Sequence, residues 1–71
     1  MMLAVRQVSD GKVLGTFTFS GGQFAYPDKR VADIALAEVE SWQEAGWDNQ
    51  RIADTYAGEG WSNGYISIGK R

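Results

Sequence analysis

Nine carboxylates, no histidine and no cysteine bound the chemistry open to this 71-residue chain. Without imidazole there is no base or pH switch near neutrality, and without thiolates neither a disulfide framework nor a sulfur-ligated metal. Acid–base work would fall to paired carboxylates, yet no spacing ties two of them to one cleft, and a chain this short leaves little room for a cleft. Gly21, Gly22, Gly58, Gly60 and Gly64 do not form a phosphate loop, because no Gly-Lys-Ser/Thr or dinucleotide fingerprint follows a strand. The spaced Asp/Asn ligands of a calcium loop are missing as well. The expectation is a protein without catalytic activity, cofactor or metal.

What the carboxylates can do is present charge. From Asp28 to Glu59 there are eight acidic residues against Lys29, Arg30 and Arg51, a balance of -5; the rest of the chain carries +3, giving the net -2. Asp33, Glu40 and Glu44 recur on one side of a helical projection, either as a solvated face or as a docking stripe for a basic partner. Glu40 and Glu44 repel at i,i+4, a cost of about 0.2–0.5 kcal/mol. Glu38 is the one charge inside the apolar arc, between Ile34 and Trp42, where it either snorkels at an edge or pairs with a cation such as Arg6. Trp61 stands in a glycine-flanked loop with Tyr65 close by, to plug the core's open end or to anchor a partner.

The element that must carry the stripe is Pro27 to Gly46, the longest stretch with an unbroken period near 3.6. Val31, Ala32, Ile34, Ala35, Leu36, Val39, Trp42 and Ala45 fall within an arc of roughly 200°, wide enough to face a core. Either Asp28 caps this helix or Pro27 sits in its first turn, and Gly46 stops it. A second, shorter helix opens at Asp48 as N-cap, with Trp47 and Ile52 placed as a hydrophobic staple, and ends at Gly58.

Two turns organise what precedes. Asp10-Gly11 reads as a two-residue hairpin turn, setting Val8 opposite Val13, Ala4 opposite Phe17 and Met2 opposite Phe19. Gly21-Gly22 reads as another, setting Phe19 against Phe24 and Phe17 against Tyr26. Both readings place the aromatic residues on one face. Leu3, Val5 and Leu14 are left on the other, an apolar patch suited to a partner or a second copy of the chain. Residues 65–68 alternate as a strand that returns to an edge of the sheet. The expected fold is α+β: a three-stranded antiparallel meander, a long amphipathic helix, a short second helix and a C-terminal strand (β-β-β-α-α-β), with both helices on one face.

Seventy-one residues make a single domain, and 44% hydrophobic content suffices for one compact core. No apolar run approaches a membrane span and no signal-peptide pattern is present, so a soluble cytoplasmic protein without a membrane partner is expected. The acidic helical half argues against nucleic acid as the main partner. In size and mixed style the chain is similar to small accessory proteins of bacteria and their phages. The expected function is a protein–protein interaction module acting as adaptor, inhibitor or subunit, with a homodimer as one form of that partnership. The candidate contact residues are Asp33, Glu38, Glu40, Glu44, Trp61, Tyr65, Leu3, Val5 and Leu14. The competing reading is a small DNA-binding regulator that uses residues 49–68 as a helix-turn-helix, or uses the open sheet face.

Overall fold

A computed structural model describes all 71 residues. The chain runs β1 (Met2–Gln7), β2 (Val13–Ser20), β3 (Gln23–Ala25), α1 (Ala32–Glu44), α2 (Asn49–Ala57), β4 (Trp61–Ser62) and β5 (Ile66–Lys70). All strands join one antiparallel sheet of order β3-β2-β1-β5-β4. The fold is α+β as expected, with five strands rather than four: the loop around Trp61 contributes β4, a two-residue edge strand paired with β5. Leu3, Val5, Phe17 and Ile68 from the sheet meet Val31, Ala35 and Val39 and, from α2, Ile52 and Tyr56 in one buried cluster. Both helices therefore lie on the same side of the sheet.

The first hairpin differs from the expectation by one residue. Asp10 does not take the positive φ that a type I′ turn requires; only Gly11 does, at 71°. The Asp10 carboxylate instead accepts the Lys12 amide at 2.9 Å, and the loop closes where the Gln7 amide donates to the Lys12 carbonyl at 2.8 Å. Pairing then runs Arg6 with Val13 and Val5 with Gly15, leaving Leu14 as the extra residue of a β-bulge, and Leu3 comes to stand opposite Phe17. A one-residue slip turns every side chain of β1 over. Leu3 and Val5, expected on the open face, are fully buried in the core, while Met2, Val8 and Val13 are exposed.

The physical choice between the two registers lies at Arg6. With Met2, Ala4 and Val8 inward, Arg6 would point beneath the helices and need a buried partner. With Leu3 and Val5 inward, two large side chains each contribute roughly 1.5–3 kcal/mol by burial. Arg6 then falls on the opposite face with Ala4, Thr16 and Thr18.

The second hairpin forms as expected. Gly21 and Gly22 have φ of 60° and 79°, Ser20 pairs with Gln23, and Phe19 pairs with Phe24 with ring centroids 4.8 Å apart. Phe17 stacks on Tyr26 at 5.8 Å. β3 stops at Ala25, so the outer edge of β2 beyond it lacks a strand. Asp28 fills that gap: its Oδ2 accepts the Thr16 amide at 3.1 Å. Asp28 is thus not a helix cap. It turns the chain toward α1, accepting the Arg30 amide at 3.1 Å and the Arg30 guanidinium at 2.6 and 2.9 Å.

α1 begins only at Ala32, and its N-cap Val31 supplies no side-chain bond. Its core line is narrower than the sequence arc. Val31, Ala35 and Val39 are buried, whereas Ile34 and Leu36, on its two flanks, are 37% and 41% exposed. Gly46, with φ of 92°, follows the helix end, as expected of a residue tolerant of the left-handed region. Asp48 caps α2 by accepting the Arg51 amide at 2.8 Å. No helix is long and apolar enough to cross a membrane.

Candidate interaction surface

The core line of Val31, Ala35 and Val39 fixes the rotation of α1 and so turns the opposite side outward. Asp33, Glu40 and Glu44 are all exposed there. α1 contains four acidic residues and no basic one. The single salt bridge of the protein joins Arg30 to Asp28, two residues apart and before the helix begins. The stripe thus has no internal counter-ion. Glu40 also lies close enough to Tyr26 to act on it: burial first, and then the Glu40 charge, raises the Tyr26 phenol above its ordinary value.

Glu38 is half-buried and makes no ion pair. Arg6 is not its partner, because the register that buries Leu3 and Val5 sends Arg6 to the other side of the sheet. Glu38 sits at the margin of the core beside Tyr56, whose phenol burial pushes well above its ordinary value, with the Glu38 charge adding to the effect. The Tyr56 hydroxyl is fully buried without a hydrogen bond; the Trp42 indole approaches it short of hydrogen-bond geometry.

The structure divides the remaining candidates. Leu3 and Val5 are core residues and offer no surface, which removes the patch expected to carry a homodimer. Leu14, pushed out of the regular pleat by the bulge, is half-buried and comes together with Tyr65 in an open groove of about 370 Å³ that Gln7 and Ile66 also line. Tyr65 is 80% exposed at the tip of the β4–β5 loop, and its carbonyl accepts the Val8 amide at 3.0 Å. Asn63 holds that tip, its Oδ1 accepting the amides of Tyr65 and Ile66, each at 2.9 Å. Trp61 is half-buried against the core cluster and pairs with Ile68, the position of a plug. Residues 58–70 form a turn and a β-hairpin, so the helix-turn-helix pattern ends at α2 with no recognition helix behind it.

Two features escaped the sequence. Arg51 lies over the Trp47 ring at 3.7 Å, a cation–π contact across the N-terminus of α2. Arg6 enters a groove of about 470 Å³ against the Gly58–Gly60 turn and β5. The spacing of Trp47 and Arg51 by four residues was a readable cue for the first; the second depends on the register of β1. No protein family model matches the chain, and no curated protein or solved structure is significantly similar to it.

Proposed function

We propose that the protein is a small non-catalytic interaction module whose outward α1 face docks a basic protein partner. The supporting observation is the absence of any cation on α1 beside the exposed Asp33, Glu40 and Glu44. The Glu40–Glu44 repulsion gives the fold nothing in return, so its compensation is assigned to a partner. Exposed Ile34 and Leu36 flank the stripe on its two sides and supply apolar contact beside the charges, the mixture found at transient interfaces. Charge of this kind sets orientation and encounter rate more than raw affinity.

The test compares three baits in extracts of the native host: the wild type, the Asp33→Asn/Glu40→Gln/Glu44→Gln variant, and Tyr65→Ser. Basic proteins held by the wild type and by Tyr65→Ser, released by added salt and lost from the triple variant, are the expected result. An unchanged retained set on the triple variant sinks the reading.

A further inference from the structure

Asn63 and Gly64 stand together in the β4–β5 loop, and their chemistry is independent of α1. Both are exposed, and a Cβ on Gly64 would meet nothing within 4 Å. Gly64 has a φ of 92° and no side chain to shield its own nitrogen. An asparagine followed by glycine can close on itself, because the next main-chain nitrogen reaches the side-chain carbonyl carbon in a five-membered ring. The other asparagine of the chain, Asn49, provides an internal contrast. It opens α2, is followed by Gln50, and is held at both side-chain atoms. Its Nδ2 donates to the Gly22 carbonyl at 3.1 Å, and its Oδ1 accepts the Gln43 side-chain amide at 2.8 Å.

The loop prepares Asn63 for attack at Cγ. Its Oδ1 already accepts the amides of Tyr65 and Ile66, each at 2.9 Å. Negative charge develops on that oxygen as a nitrogen adds to Cγ, and donors aimed at it beforehand stabilise the charge, as in an oxyanion hole. The Asn63 Nδ2, which has to depart, is tied by no hydrogen bond of the protein. One contact opposes the attack: the Gly64 amide donates to the Ser62 Oγ at 3.1 Å, which restrains the nitrogen until that bond opens. The neighbourhood is sensitive to change at this point. β4 is joined to β5 only through Trp61 with Ile68 and Ser62 with Ser67, and Tyr65 lines the groove that also holds Leu14.

We infer that Asn63-Gly64 is a self-modification site, where the chain converts its own asparagine to aspartate and isoaspartate with Ser62 as the guard. Hydroxide takes the Gly64 amide proton and the freed nitrogen bonds to the Asn63 Cγ. The Cγ–Nδ2 bond breaks, and Nδ2 leaves as ammonia with a proton from water, which restores the hydroxide. Water then adds to either carbonyl of the succinimide and opens the ring. Opening to isoaspartate lengthens the main chain by a carbon and withdraws the acceptor that holds Tyr65 and Ile66, so the β4 edge loosens. The test incubates the full chain at mildly alkaline and mildly acidic pH and follows it by mass spectrometry with peptide mapping. The mass gain of an amide-to-acid exchange is expected at Asn63, faster at alkaline pH, with none at Asn49 over the same period. The native rate should be no lower than that of the urea-unfolded chain. Ser62→Ala is expected to convert roughly two- to tenfold faster, the worth of one neutral hydrogen bond. New NMR amide signals confined to residues 61–68 should grow with conversion, while those of Val5 and Ala35 stay in place. No conversion at Asn63, equal conversion at Asn49, a native rate below the unfolded one, or no acceleration in Ser62→Ala would each overturn the assignment. The α1 reading depends on none of these results.

Discussion

Asp28 and Gly15 are packed so closely that a methyl group on residue 15 would stand 2.8 Å from the Asp28 Oδ2 and 2.8 and 2.9 Å from the two Val31 methyls. The turn into α1 is thus fitted to a strand position that has no side chain. Where β3 ends, a carboxylate takes over the role of a neighbouring strand by receiving the Thr16 amide. One residue closes the sheet edge and sets the approach of the helix.

Gly15→Ala should therefore destabilise the protein by about 1–3 kcal/mol, the usual cost of overpacking a filled site. Urea denaturation measures it. A change below about 0.5 kcal/mol, the range of an ordinary surface substitution, would show that the turn yields freely.

Asp28 also sets a pH dependence. The Arg30 side chain, assisted by the Thr16 and Arg30 amides, holds its carboxyl well below the usual carboxylate range. A depressed folded value means that its stabilisation is complete above the unfolded value of about 4 and is lost as the pH falls through the folded one. Asp28→Asn should be less stable than the wild type at neutral pH, with the difference shrinking below about pH 4. Thermal melts of both proteins across that range report it, and a difference unchanged at the acid end contradicts the assignment.

Tyr56 buries a hydroxyl without a hydrogen bond. Tyr56→Phe should cost no more than about 0.5 kcal/mol and is expected to be neutral or stabilising, because removing an unsatisfied polar atom relieves its desolvation. Burial raises the Tyr56 phenol above its ordinary value, so the stability linked to its proton is complete below about pH 10 and declines as the pH rises beyond that. The phenylalanine variant should accordingly lose less stability above pH 10, as read by denaturant midpoints. A loss of several kcal/mol at neutral pH would reveal a hydrogen bond instead.

Glu44→Lys separates stability from binding. It converts the Glu40 repulsion into an i,i+4 attraction and places a cation in the last turn of α1, which holds none. Together these should stabilise the protein by about 0.5–1 kcal/mol. The same change should abolish retention of the basic partner. A variant that is more stable and still binds fully would remove the stripe from the interface.

The sequence was most informative where glycine and short polar residues act locally. Gly21 and Gly22 dictate their turn, Asp48 its cap and Gly46 its stop, each within a few residues. The first hairpin failed because Asp10-Gly11 also permits a four-residue loop, and alternation along β1 supports either phase equally. What selects the phase is distant: Ile68 beside Val5, Phe17 opposite Leu3, and the exclusion of Arg6 from the helical side. The width of the α1 arc was overestimated for a related reason. A sheet this small covers only the line of Val31, Ala35 and Val39, and Ile34 and Leu36 lie beyond its reach. Of the candidate residues, the acidic stripe could be placed from periodicity alone, whereas Leu3 and Val5 could not.

The placement of β1 between β2 and β5 also governs the order in which this protein can become whole. Leu3 and Val5 are made before their second neighbour, the strand from Ile66 to Lys70, which follows some sixty residues later. Until then a nascent chain holds an apolar strand with one open edge, the kind of surface that seeks pairing elsewhere. Such long-range closure slows folding and makes it cooperative. The interval between synthesis of β1 and arrival of β5 is when this protein most depends on dilution or a chaperone.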